Sequence, residues 1–222
     1  MEMAEHKEIK AFDGQAGPIE CVIEWPEAPA EGWALVLHPH PLHGGTRDNK
    51  VVTTIGRACL QRKLVTLRPN FRGVGDSAGE FDSGKGETTD MQMLVEQFVQ
   101  AYPDLAAKPW MLAGFSFGTA VAAQLQANLE DAVESGSAVC DTPSALILVG
   151  AAVGRFQFRD ISLPENTLMV HGEVDEVVPF SEAMDFARRH EQPVTVIPDA
   201  SHFFHGKLVS LKSLVQQRLA TL

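Results

Sequence analysis

The sequence predicts an α/β protein built on a mostly parallel central sheet with helices on both faces. Three observations carry this. Short apolar runs alternate with amphipathic stretches along the whole chain, the pattern of strands and crossover helices. Runs such as Trp33-Ala-Leu-Val-Leu-His38 are almost wholly apolar, as a strand covered on both faces must be. The 222 residues, 45% of them hydrophobic, are enough to bury one core without a disulfide or metal. A single domain over residues 1–222 is the expectation.

The elements follow in order. Extended segments around Lys7 to Phe12 and Pro18 to Trp25 are separated by the turn formers Asp13-Gly14 and Gly17-Pro18. The strand from Trp33 is followed by helical spacing of Val51, Val52, Ile55, Cys59 and Leu60, then by a strand from Leu64 to Leu67, which makes one βαβ unit. Beyond a Gly-rich loop, Met91, Leu94, Val95, Phe98 and Tyr102 form a second helical stripe ending near Pro103. The remaining alternation is strand Pro109 to Ala113, helix Thr119 to Leu129, strands Ala145 to Val149 and Thr167 to Val170, helix Ser181 to Arg189, strand Val194 to Ile197, and a closing helix carrying Leu208, Leu211, Leu214 and Val215.

Composition excludes several classes of function. A net charge of -11, with Lys and Arg scattered, repels phosphate backbones, so nucleic acid is not an expected partner. No basic n-region with an apolar run opens the chain, and nowhere are eighteen consecutive residues apolar, so no membrane association is expected. Cys21, Cys59 and Cys140 are odd in number and widely spaced, which predicts buried, reduced thiols and a cytoplasmic setting.

At the end of the strand Pro109 to Ala113 stands Gly114-Phe115-Ser116-Phe117-Gly118, which runs directly into an Ala-rich helix. This is a G-x-S-x-G elbow in strand-turn-helix context, where a serine on a sharp turn needs minimal neighbours two positions away. Ser116 is therefore the expected nucleophile. A chance Gly/Ser turn is the alternative, so the partners decide. They should follow in the order acid, then histidine, on loops after later strands. His171-Gly-Glu-Val-Asp-Glu-Val-Val-Pro179 offers Glu173, Asp175 and Glu176, of which Asp175 is the expected acid and the others solvated charge. Pro198-Asp-Ala-Ser-His-Phe-Phe-His205 offers His202 as the base, with His205 as a residue at the start of the last helix.

Two main-chain N–H groups should hold the developing oxyanion, those of Phe117 and His40, since Pro39 and Pro41 have none and Leu42 is the only other donor nearby. On this reading His40 acts through its main chain. His38, His40 and His43 are also spaced as H-x-H-x-x-H, similar to the zinc-binding H-x-H-x-D-H of metallo-β-lactamase-type hydrolases, and a metal-dependent hydrolase is the alternative function. Leu42 at the Asp position and the two prolines weigh against it. The Gly73, Gly75, Gly79 loop has spacing G-x-G-x-x-x-G, one residue too long for a dinucleotide fingerprint, and continues as loop to Gly86. It should border the active site, with Arg72 and Asp76 as an ion pair or as backbone clamps.

With these residues in view, the chain resembles the small, cap-less serine hydrolases of bacteria, a branch of the α/β-hydrolase superfamily related in shape to dienelactone hydrolases. The resemblance runs through HPHPLHGGTRDNKVV (38–52), RPNFRGVGDSAGEFDSGKGETTD (68–90), GFSFG (114–118), HGEVDEVVP (171–179) and SHFFHGKL (201–208). It implies the α/β-hydrolase fold, a triad on the residues matching Ser116, Asp175 and His202, and esterase-like activity on short acyl esters. Such a mechanism needs no cofactor, and a small ester or thioester is the expected partner. About fifteen residues, Ala151 to Glu165, are too few for a cap domain, so the cleft should be open and lined by Leu42, Phe115, Phe117, Val177 and Phe203. A degenerate binding protein is the remaining alternative, and it would have lost a member of this set.

Overall fold

The computed structural model describes residues 6–221. The paired turn formers act as expected: β1 (His6–Gly14) and β2 (Gly17–Trp25) form an antiparallel hairpin, with β1 at the sheet edge. Then follow β3 (Gly32–Leu37), α1 (Lys50–Gln61), β4 (Leu64–Pro69), α2 (Lys85–Ala101), α3 (Pro103–Ala106), β5 (Trp110–Phe115), α4 (Phe117–Glu134), β6 (Ala145–Val149), α5 (Val153–Phe156), β7 (Leu168–Gly172), α6 (Phe180–Arg189), β8 (Val194–Ile197) and α7 (Leu208–Leu219). The strands form one eight-stranded sheet in the order β1-β2-β4-β3-β5-β6-β7-β8, parallel except where β2 meets β1 and β4. The C-terminal ends of β3 and β5 to β8 therefore share one edge of the sheet, where open α/β sheets place their sites.

The central strands are buried throughout, yet their side chains still alternate between two cores. Trp33, Leu35 and Leu37 join Trp110, Leu112 and residues of α2 and α4 on one face, where the Trp33 and Trp110 rings stack at 4.2 Å. Ala34, Val36, Met111, Ala113 and Phe115 face α1 and α7 on the other.

Two segments differ from the sequence expectation. α2 begins at Lys85, inside the expected loop, because the buried Glu87 carboxylate accepts the N–H groups of Gly84 and Asp82 at 2.9 and 2.8 Å and caps the helix start. α4 runs past Leu129 to Glu134, where Glu130, Ala132 and Glu134 keep helical propensity although the apolar stripe has ended. Between β6 and β7 the chain forms only the four-residue α5 and irregular structure. It is clamped to α4 by the fully buried Gln124, which donates to Phe156 O at 3.3 Å and accepts from the Phe158 N–H at 2.7 Å.

Two side-chain expectations are corrected. Arg72 pairs with Asp90 at 2.5 Å instead of Asp76, because α2 brings Asp90 against the Gly-rich loop while the Asp76 N–H donates to Glu20 at 3.2 Å. Glu20 also accepts from Arg47 and Asn70 at 2.8 and 2.9 Å. The Arg47 hydrogen bond leads the interactions that overcome partial burial and hold its carboxyl down at about 2. Cys21 and Cys59 are buried free thiols, as expected, whereas Cys140 is partly exposed.

Candidate active site

Ser116 stands between β5 and α4 with φ 54° and ψ -120°, a backbone conformation that costs a non-glycine residue on the order of 1–3 kcal/mol. The flanking glycines follow from contact. A Cβ on Gly114 would lie 2.2 Å from Gly118 O, and one on Gly118 would lie 2.6 Å from Leu37 O, so strand, turn and helix close only if both are glycine. The turn is tied by Ser116 N–H to Val149 O at 2.9 Å and by Thr119, whose hydroxyl donates to Ser116 O at 2.5 Å and accepts from the Ala152 N–H at 2.9 Å. Thr119 gave no signal in the sequence beyond its place three residues after the serine.

The three residues taken from separate loops meet. His202 Nε2 lies 2.9 Å from Ser116 Oγ, and His202 Nδ1 lies 2.7 Å from Asp175 Oδ2. Asp175 can only accept from Nδ1–H, so Nε2 carries the lone pair and the serine hydroxyl donates to it. Ser116, Asp175 and His202 are 8%, 7% and 1% exposed, which keeps water from competing for these bonds. Asp175 Oδ1 accepts from the N–H groups of Val177 and Val178 at 2.9 and 2.8 Å. Burial opposes its charge, but the His202 imidazole and these two amides outweigh burial and hold the carboxyl below the usual range.

Glu173 and Glu176 are exposed, as expected, and also staple the two loops together. Glu173 accepts from the Asp199 N–H at 2.9 Å and Glu176 from the His202 N–H at 3.2 Å. Gly150, after β6, lies under the histidine, and a Cβ there would come within 3.2 Å of His202 Cε1. His205 sits exposed in the turn ahead of α7, outside the helix.

The segment after β3 forms a 3-10 turn over Pro41–His43. The Leu42 N–H donates to His40 Nδ1 at 3.2 Å, which removes Leu42 as an oxyanion donor and gives the imidazole of His40 a structural task of its own. Phe117 opens α4, so its N–H is among those a helix start leaves without an intrahelical partner. The metal reading of the three histidines is corrected. His38 is fully buried, with Nδ1 2.7 Å from Pro39 O and Nε2 accepting the Phe71 N–H at 2.9 Å, so neither nitrogen has a lone pair to give. Burial pushes its pKa down to about 4. Among the described residues no group of three His, Cys, Asp or Glu side chains is placed to hold a metal ion.

Leu42, Val177 and Phe203 are 69%, 41% and 37% exposed. Phe115 and Phe117 are not available as lining, because each is buried in one of the two cores; Phe115 backs the His202 ring at 5.0 Å. The His40 ring packs against His43, Phe81, Phe117 and Phe156 at 4.3 to 5.4 Å, and the half-buried rings of Phe81 and Phe156 were missed in the sequence because they come from distant segments.

Residues 81–207, which contain Ser116, Asp175 and His202, match the family described as Serine hydrolase (FSH1). The chain belongs to this serine hydrolase family. Similar solved structures agree with that membership. An α/β serine hydrolase without a lid from Xanthomonas campestris is 33% identical, with a TM-score of 0.84 over 97% of this chain and 94% of the other. An α/β serine hydrolase homologue from Coxiella burnetii is 36% identical, with a TM-score of 0.78 over 96% and 97% of the two chains. A dienelactone hydrolase from Anabaena variabilis, 17% identical with a TM-score of 0.75 over 98% of both chains, shares the fold. This serine hydrolase thus has the α/β-hydrolase fold, and among its described residues no helix is long and apolar enough to cross a membrane.

Proposed function

We propose that this serine hydrolase cleaves short acyl esters or thioesters through an acyl-enzyme on Ser116, with His202 as general base and Asp175 as its orienting acid. The observation that carries the reading is the continuous chain from Ser116 Oγ through His202 to Asp175 Oδ2, at 2.9 and 2.7 Å. Attack of Oγ on the acyl carbonyl passes the hydroxyl proton to His202 Nε2, and Asp175 holds the imidazole in the required tautomer and stabilises its positive charge. The tetrahedral oxyanion is held by the N–H groups of Phe117 and His40, each worth about 3 kcal/mol in the transition state. The imidazolium then protonates the leaving group, and a water activated by the same nitrogen releases the acid.

The short segment between β6 and β7 supports an open, shallow cleft, with Leu42, Val177 and Phe203 as the accessible apolar surface for the acyl group. Such a surface covers only a few methylenes, at about 0.8 kcal/mol each, so chain-length selectivity should be weak. The single sheet supports one domain carrying the whole activity, and the buried free thiols of Cys21 and Cys59 support a cytoplasmic location.

The test is a kcat/KM series on 4-nitrophenyl esters from acetate to palmitate and on matching thioesters, for wild type and Ser116→Ala. The expected result is a preference for short chains that is lost in the variant. A steady rise to palmitate, or undiminished turnover by Ser116→Ala, overturns the reading.

A further inference from the structure

The mechanism leaves one buried histidine unused. His171, at the end of β7, is 1% exposed and lies four residues before Asp175. Its Nε2 is 2.9 Å from Val178 O and 3.5 Å from Asp175 Oδ2, the oxygen that also takes the His202 Nδ1–H. Since Val178 O can only accept, Nε2 carries the hydrogen. That hydrogen goes to the Val178 carbonyl, with the Asp175 carboxylate close by, while Nδ1 is buried without a partner.

This arrangement is costly for a structural residue. An apolar side chain would avoid the unpaired Nδ1 but would take the donor from the Val178 carbonyl, so the imidazole is explained by what Nε2–H does. It closes a ring. Nε2–H fixes the Val178 carbonyl, and the Val178 N–H fixes Asp175 Oδ1 at 2.8 Å, so His171 and Asp175 are tied to the same residue while Oδ2 is left for His202. Burial, the dominant influence, holds the imidazole below its ordinary pKa, in keeping with a neutral donor. Nearby, Glu182 of α6 is engaged by a bidentate bond with Arg155 of α5 at 2.7 Å, so neither of them takes the place of His171 at Asp175.

We infer that His171 is a positioning residue for Asp175, aiming its carboxylate at His202 through an Nε2–H that holds Val178 O beside Asp175 Oδ2. The inference rests on the proposed triad. The glutamine amide nitrogen falls near the place of imidazole Nε2 and the asparagine nitrogen near Nδ1, so the two amides separate the role of this hydrogen from mere occupancy of the site.

The experiment measures 4-nitrophenyl acetate hydrolysis and fluorophosphonate labelling for wild type, His171→Leu, His171→Gln and His171→Asn, with circular dichroism to establish folding. His171→Leu and His171→Asn should lower kcat by about tenfold or more with KM within about twofold, and slow labelling in parallel, while His171→Gln restores kcat to within about threefold of wild type. Equal activity of the asparagine and glutamine variants overturns the inference, and this pair decides the matter even where the leucine variant does not fold. If wild type neither turns over nor labels, the triad reading fails and this inference falls with it. If wild type labels at Ser116 and all three variants match it, only the positioning role is refuted.

Discussion

His38 and His202 are both buried, both end a strand-to-loop passage at the same sheet edge, and both have two engaged ring nitrogens, yet their surroundings give them opposite tasks. The partners of His38 are main-chain groups, Pro39 O and the Phe71 N–H, which neither titrate nor react. The partners of His202 are a carboxylate and a hydroxyl, one able to stabilise a positive imidazole and the other to give up its proton. A buried histidine is thus a lock or a proton carrier according to what its two nitrogens meet, and residue type and burial alone do not tell the two apart.

The largest expected effects break this comparison on the reactive side. Ser116→Ala and His202→Ala should each lower kcat by about 10⁴-fold or more with the fold intact, measured on a short 4-nitrophenyl ester, whereas His38→Gln should stay within about tenfold of wild type. A loss for His38→Gln as deep as for His202→Ala would mean that the two histidines are not distinguished by their partners. Next comes Asp175→Asn, expected to cost on the order of 10⁴ in kcat as His202 loses its orienting charge. Glu173→Gln and Glu176→Gln, which remove only loop staples, should cost far less, and a deeper loss in either would move the acid to that residue.

Smaller effects sharpen the locked side. The folded state holds His38 at about 4, below its ordinary 6.5, so the unfolded chain binds the extra proton across this interval. Its contribution is complete above pH 6.5 and is lost as pH falls toward 4, by up to about 3 kcal/mol. Urea unfolding from pH 7 to 4 should show this slope, flattened in His38→Gln; an unchanged slope would contradict it. Glu20 is held at about 2, below the usual carboxylate range, so its contribution, about 2 kcal/mol, persists to lower pH and is lost only as pH falls through that range toward 2. Glu20→Gln should therefore be destabilised at pH 7 and converge on wild type near pH 2, as read by chemical denaturation.

The legibility of the sequence followed the same divide between local and distant causes. The elbow was legible because its strain acts over two residues on either side of Ser116 and dictates glycine at fixed offsets. His202 was legible through chain order, since β8 ends just before it. What the sequence hid were pairings made across the fold. Arg72 has Asp76 close in sequence but meets Asp90, which α2 carries to it. The burial of Phe115 was hidden because a strand covered on both faces loses the polar alternation that marks its sides. Phe81, Phe156 and His40 form one aromatic cluster from three segments, and no short pattern joins them.

The most direct test of the central claim is to treat the protein with a fluorophosphonate probe and map the adduct by mass spectrometry, in wild type, His202→Ala and Ser116→Ala. One adduct per chain, on Ser116, formed far more slowly in His202→Ala and absent in Ser116→Ala, is the predicted result. An adduct on another residue, or undiminished labelling without His202, would contradict it.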